Sequence, residues 1–360
     1  MKLIRTILTL AAVAAVATPL AAADARIAII DVGGGGQTMA ARCDAAGTIH
    51  VVTQTPGGPQ YVRSTDGGES FSQPLPVVSA KARQPGLEYT VWDVAVTKVG
   101  GVHVALGTNA WKLKLPKEEW AFFYARLEPG AQAFAPVVNI NRKPSEGFSL
   151  AADDSGNVTA CWMSGKLYAN VSHDGGRTFG PTVEIDPSFD PCDCCTTSAT
   201  YAADGRLALL YREETNNERN MFLVQWDQKQ NVATRTRVST TPWNIDACPM
   251  TYYSIVPQGD GFVAAWPTKG EVYWARLDGQ GTLQSPGEIK TPGQSGMRSG
   301  VLTLTDTSGN TLVAWKKAEQ LGWQLYDAQG RASGKTASAK SRGSGAAGVV
   351  SKDGRFLLFP

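Results

Sequence analysis

The chain has 360 residues, with 34 Lys and Arg against 32 Asp and Glu. A chain so near neutrality lacks the excess of positive charge that binding to phosphate backbones requires, which excludes nucleic acid as the main partner. Its 38 Gly and 20 Pro, with few long helix-forming runs, point to a β protein rich in turns.

At the N-terminus, Lys2 and Arg5 precede an apolar run from Ile7 to Val16, followed by Ala21-Ala22-Ala23. This is the layout of a secretory signal peptide cut after Ala23; an N-terminal membrane anchor is the alternative, for which the run is short. No later stretch is apolar for long enough to cross a bilayer. The expectation is a periplasmic or secreted chain: a signal peptide over 1–23, one domain over 24–360, and no membrane span after cleavage.

Downstream, one pattern recurs: a Gly in a tight turn, then a short apolar strand that often ends in an aromatic. It starts at Gly47, Gly101, Gly156, Gly205, Gly261, Gly309 and Gly354, with clear examples in Gly156-Asn157-Val158-Thr159-Ala160-Cys161-Trp162 and Gly261-Phe262-Val263-Ala264-Ala265-Trp266. Spacing near fifty residues with several short strands per period is the mark of a β-propeller. Each unit reads as four strands: one ahead of the Gly, the apolar strand after it, a third such as residues 272–277, and an outer fourth. Six units are complete, and a seventh shows only two strands, over 346–359. The N-terminal strand over 26–30 is left over to complete it. The predicted fold is therefore an all-β propeller of four-stranded blades closed by the N-terminal strand. Seven blades are favoured and six are the alternative. Closure of this kind removes an exposed sheet edge.

Two octets share the pattern S-x-D-G-G-x-[ST]-F at the turn between third and fourth strands: Ser64-Thr65-Asp66-Gly67-Gly68-Glu69-Ser70-Phe71 and Ser172-His173-Asp174-Gly175-Gly176-Arg177-Thr178-Phe179. The Asp can accept backbone N–H bonds within the turn, and the glycines can take positive φ. Weaker versions centre on Asp278 and Asp327. The octets resemble the Asp-boxes (BNR repeats) of the sialidase-like β-propellers, where such boxes are structural and lie away from the active site.

The loops from a fourth strand to the next first strand, and from a second to a third, emerge on one side of a propeller. The resemblance implies that this mouth holds the ligand. It gathers Cys192, Cys194 and Cys195 before unit four, Trp243, Cys248 and Met250 before unit five, and the charged turn from Arg212 to Arg219 between them. Arg83, Glu146, Arg298 and Arg342 precede other units. A sialidase-type site, by resemblance, needs arginines gripping a carboxylate, a Tyr nucleophile helped by a Glu, and an Asp as acid/base. A bidentate guanidinium suits a planar carboxylate. The candidates are Arg212, Arg219, Glu213 and Tyr211 for catalysis, with Tyr252 and Tyr253 nearby, and Arg83, Arg298, Arg342 and Trp243 for ligand binding. The Arg-Ile-Pro motif of sialidases is absent; Arg26-Ile27-Ala28 lacks the Pro.

Three readings of the cysteines stay open: two disulfides among Cys192, Cys194, Cys195 and Cys248; a thiolate metal site, joined by Met250 for copper or without it for zinc; or a redox-active pair. Cys43 and Cys161 lie on strands of non-adjacent units and read as small apolar groups. None of His50, His103 and His173 neighbours a Ser in a nucleophile motif, and Gly33-Gly34-Gly35-Gly36 lacks a following Lys-Ser/Thr. A Ser-His-Asp hydrolase and a phosphate loop are thus both disfavoured. The leading functional expectation is recognition of a carbohydrate or small anionic ligand at the mouth, with exo-glycosidase activity of sialidase type as its catalytic form. The alternative is a non-catalytic binding or assembly propeller, whose cysteine cluster holds metal or disulfides and whose face meets another periplasmic protein.

Overall fold

A strand covered on both faces has no solvent side, so every position along it must be apolar or satisfied internally. The strands that follow the recurrent glycines meet this demand: Val158–Met163, Leu207–Arg212 and Gly261–Thr268 are buried along their whole length. Outer strands do not, and Ala332–Lys340 alternates between exposed and half-buried positions. The burial gradient from inner to outer strand reflects radial sheets stacked around an axis.

The computed structural model describes residues 25–79, 85–188 and 190–360, with a two-residue strand at Val13–Ala14 that pairs with Ser70–Phe71. The signal-peptide expectation otherwise lies outside the described residues, and so does Arg83. Six sheets have four strands each, in chain order. Their first strands are Gln37–Cys43, Tyr89–Val96, Glu146–Ala152, Ser198–Tyr201, Ser254–Gln258 and Val301–Thr305, which open blades one to six. The seventh blade joins both ends of the chain: Ala347–Val350 pairs with Phe356–Phe359, which takes Ile27–Ile29 on its other edge. This last pairing is parallel, with Ala28 opposite Leu357, whereas every other strand pairing is antiparallel. The terminal strand enters from the opposite end of the blade because it must then continue to blade one instead of returning through a hairpin.

Seven apolar clusters account for the core, one at each interface between neighbouring blades. The cluster between blades seven and one contains Val349, Leu357 and Phe359 together with Ile49, Val51 and Phe71. Seven interfaces for seven blades means that the ring is closed, which settles the blade count at seven. Among the described residues the one helical element is a 3-10 turn at Lys117–Glu119, and no helix is long and apolar enough to cross a membrane.

The first strands line the axis with an unpaired edge, and side chains of neighbouring blades cover it. Asp93 of blade two takes Arg42 Nη2 of blade one at 2.7 Å and the Leu150 amide of blade three at 3.0 Å. Ser198 Oγ accepts the Ile255 amide and Ser254 Oγ the Thr303 amide. The bonds from the Leu150, Ile255 and Thr303 amides each satisfy a backbone group that would otherwise be orphaned at the channel wall.

On the face opposite the mouth, the two octets form the same turn. Asp66 accepts the Ser70 amide and Asp174 the Thr178 amide, while Ser64 Oγ and Ser172 Oγ accept the amides of Gly68 and Gly176. Hydrogen bonds lower both carboxyl groups, Asp66 to about 2 against some desolvation, and Asp174 chiefly through its bond from Thr178 Oγ1. Asp278 and Asp327 make shorter versions of the turn in blades five and six.

Candidate functional site

Three loops meet at the mouth of blade four, and backbone bonds knit them together. The loop leading into the blade runs alongside the end of its second strand, with the Cys192 amide donating to Arg212 O at 2.8 Å and the Glu214 amide to Asp190 O at 3.0 Å. The loop leading into blade five pairs with the charged turn: the Arg219 amide donates to Trp243 O and the Ile245 amide to Asn217 O. Topology therefore places the cysteines and the Arg212–Arg219 turn on one face, as the sequence predicted.

A tight turn, closed by the Cys195 amide on Cys192 O at 2.9 Å, folds the Cys-Asp-Cys-Cys segment back on itself. Cys194 is disulfide-bonded to Cys248, while Cys192 and Cys195 are free thiols. The two-disulfide expectation is thus half met, since one bond is formed and two sulfurs remain. The Sγ atoms of Cys192, Cys194 and Cys195 lie within 4.8 Å of one another, a set that could hold a soft metal once the Cys194–Cys248 disulfide is reduced. The hydrogen bond between Cys192 and Cys195 lowers Cys195, with Arg212 and Thr251 helping against desolvation, and raises Cys192. Of the other two cysteines, Cys161 is buried as expected, but Cys43 is only half-buried.

Of the residues expected to be catalytic, Arg212, Glu213 and Tyr211 are buried. Arg212 is fully buried, with Nε on Thr251 Oγ1 at 3.2 Å, Nη1 on Arg219 O at 2.7 Å and Nη2 on Pro267 O at 2.5 Å. Its guanidinium lies 4.8 Å from the Trp243 ring, and Trp243 is buried by that contact. Neither offers a free face to a ligand. Glu213 is buried and accepts Arg235 Nη1 at 2.9 Å; that guanidinium lies 4.3 Å from the Phe222 ring. Tyr211 is fully buried, and desolvation drives its phenol well above the ordinary value, which is unfit for a nucleophile. Tyr253 is also buried, donating to Thr196 O and accepting the Arg212 amide at 3.1 Å. The sequence placed all of these near the mouth. It could not tell that the apolar second strand draws Tyr211 and Arg212 beneath it.

What remains at the opening is a different set. Glu146 begins blade three, Asp193 and Tyr252 lead into blades four and five, and Arg298 leads into blade six. Arg298 is exposed; its amide donates to Met250 O at 2.8 Å and its Nε contacts Met250 Sδ at 3.0 Å. Met250 thus positions an arginine. Burial raises Glu146, the Asp193 charge adds to the rise, and Arg298 opposes it. Tyr252 is half-buried and raised by burial, with Arg298 and Glu146 both acting on it. Arg342 is exposed and donates to Gly35 O. On the same face, the blade-two loop after Val102–Thr108 presents Trp111 at 59% exposure. Sequence reasoning missed Trp111; an aromatic just beyond the second strand, followed by Lys112, Lys114 and Lys117, carried no periodic signal.

The fold and this open mouth define the class: a seven-bladed propeller with a polar, arginine-bearing axial face. No family model and no curated protein matches the sequence. Among solved structures, the chain is similar to an ulvan lyase, a polysaccharide lyase, at TM-score 0.53 and 12% identity, covering 88% of each chain. It is also similar to an α-L-arabinanase from Penicillium chrysogenum solved with arabinobiose, at TM-score 0.52 and 14% identity, covering 89% of this chain and 99% of that one. A Lactobacillus plantarum protein gives TM-score 0.51 at 12% identity, covering 85% and 86%. At these identities the likeness extends to the fold alone.

Proposed function

We propose that the chain is an exported propeller that binds an acidic saccharide at its mouth, with Arg298 gripping the carboxylate and Trp111 offering a flat apolar face to a sugar ring. The observation that carries this reading is the convergence of Glu146, Asp193, Tyr252 and Arg298 from four successive blades onto one opening. A guanidinium held at its Nε side by Met250 keeps its outer nitrogens for a planar anion. Exposed aromatics beside convergent polar groups are the usual furniture of a ligand site. Two propeller neighbours that act on carbohydrates, an ulvan lyase and an arabinanase, support the ligand class.

Recognition, and not hydrolysis through Arg212, Tyr211 and Glu213, is the function proposed, because those side chains are committed to packing and ion pairing. A sialidase-type step would have to use Tyr252 with Glu146 beside it and Asp193 as the acid. The test is a panel of acidic and neutral saccharides, read by thermal shift and calorimetry, with aryl glycosides run in parallel for turnover. Binding should be confined to sugars bearing a carboxylate, and Arg298→Ala should weaken it about tenfold or more, the worth of a charge-assisted hydrogen bond. Equal affinity in Arg298→Ala, or no response to any acidic sugar, would sink the reading.

A further inference from the structure

Four sulfurs meet beneath the blade-four mouth, and the saccharide reading does not use them. Cys192 is central: its Sγ lies 3.5 Å from Cys194 Sγ and 3.6 Å from Cys195 Sγ. Those are sulfur–sulfur contact distances, the separation from which a thiolate attacks a disulfide. Cys194 is already bonded to Cys248, and both of these residues are half-buried. Cys192 and Cys195 are 2% and 1% exposed, too deep to meet a substrate themselves.

The charge around them points the same way. Arg212 is fully buried, and its guanidinium nitrogens donate only to a hydroxyl and two carbonyls, all neutral. A buried cation demands a counter-charge, and the groups whose negative charge would act on it are the two thiols and the Tyr253 phenol. Arg219 Nη1 adds a second guanidinium 3.2 Å from Cys192 Sγ. Cations beside a thiol favour the thiolate, the form that reacts.

We propose that this cluster is a thiol–disulfide exchange site, in which Cys192 relays a disulfide between the half-buried pair Cys194/Cys248 and the buried pair Cys192/Cys195. In the first step Cys192 attacks Cys194 Sγ as Cys195, the more acidic of the two and a thiolate at the start, takes its proton across their 3.6 Å contact; the Cys192–Cys194 bond forms, the Cys194–Cys248 bond breaks, and Cys248 leaves as a thiolate. In the second step Cys195 attacks Cys192 Sγ, the Cys192–Cys195 bond forms, and Cys194 leaves and takes the proton from Cys195. No electrons are gained or lost so far. The dithiol now sits at Cys194 and Cys248, nearer the surface, where it can reduce an external disulfide: Cys194 attacks it and one thiol departs, then Cys248 attacks Cys194 and the second thiol departs. Cys194–Cys248 is restored. Two electrons stored on the buried pair have reduced a disulfide substrate at the mouth.

The test uses the full chain and oxidised glutathione as the disulfide, with acid quenching, alkylation and peptide mapping of every cysteine over time. One equivalent of oxidised glutathione should convert Cys192 and Cys195 from thiols to a disulfide, with transient glutathione adducts mapping to Cys194 or Cys248 and to neither buried thiol. Arg219→Gln should slow this conversion roughly tenfold by removing a cation from the attacking sulfur, with little change in melting temperature. Cys194→Ser should abolish the relay; the adduct map in the unaltered protein decides the question if that variant does not fold. The proposal is overturned if Cys192 and Cys195 stay reduced, if adducts form directly on them, or if the purified protein carries a stoichiometric soft metal that must be stripped before any thiol reacts.

Discussion

Buried ionisable side chains carry the pH dependence of this protein. His103 is buried between blades two and three, with Nδ1 2.6 Å from Tyr124 Oη, and it is held at about 4 by desolvation and by the charge of Arg126. Its Nε2 is buried without a hydrogen-bond partner, so the ring gains nothing from protonation. Unfolding returns it to the ordinary value near 6.5, so below that pH the unfolded chain binds a proton that the folded chain refuses. Stability from this residue is full above pH 6.5, falls as pH drops, and is exhausted by pH 4, a loss of about 3 kcal/mol. His50, the corresponding residue of blade one, is also lowered by burial, against the pull of Asp44, and contributes in the same sense. Urea midpoints measured between pH 7 and pH 4 should fall steeply, and His103→Gln should flatten part of that slope; an unchanged slope would show that His103 does not titrate on unfolding. Asp66 and Asp174 act in the same sense at lower pH, contributing stability that is lost only as pH falls through and below the ordinary carboxylate range.

The most informative elements are the octet turns and the second strands. At Gly176, φ is +77° and a Cβ would run into Tyr124 Oη, so the turn of blade three is locked into the interface with blade two. Gly176→Ala combines a left-handed backbone with that collision and should cost about 2 kcal/mol or more, read as a drop in the denaturation midpoint. Gly175→Ala has the same backbone strain at φ +72°, but its closest neighbour is the movable Arg177 side chain at 3.7 Å, so its cost should be smaller. Equal losses would mean that strain alone matters and the inter-blade contact does not. The second strands explain why Tyr211 and Arg212 lie buried. Leu207–Arg212 is apolar through Tyr211, and Arg212 continues the buried strand by one residue because Thr251, Arg219 O and Pro267 O take up its nitrogens.

At the scale of the molecule, stability rests on closing the ring. Phe356–Phe359 is held between Ala347–Val350 and Ile27–Ile29, and its side chains feed the clusters on both sides, Leu357 and Phe359 toward blade one and Phe356 and Leu358 toward blade six. Removing residues 356–360 would strip both partner strands of their neighbour and uncover the apolar faces of blades one and six. The truncated chain should fail to give a soluble monomer, judged by expression and gel filtration. A soluble monomer with the native melting temperature would show that six blades fold without closure.

The sequence by itself determined the repeating part of this protein. The glycine period, the apolar second strands and the two octets depend on contacts within one blade, and such local patterns are written in consecutive residues. They predicted the blades, the closing role of the terminal strand and the face on which each loop emerges. Tertiary structure alone decided which of those loop residues reach the opening. Arg212 and Trp243 stack on each other out of sight, and Glu213 turns to Arg235, while Arg298 stays exposed on the support of Met250. The pairing of Cys194 with Cys248, and the approach of Cys192 to both its neighbours, likewise depend on how two loops 54 residues apart fold against each other. Burial and partnership arise between blades, across distances in sequence that no local pattern spans.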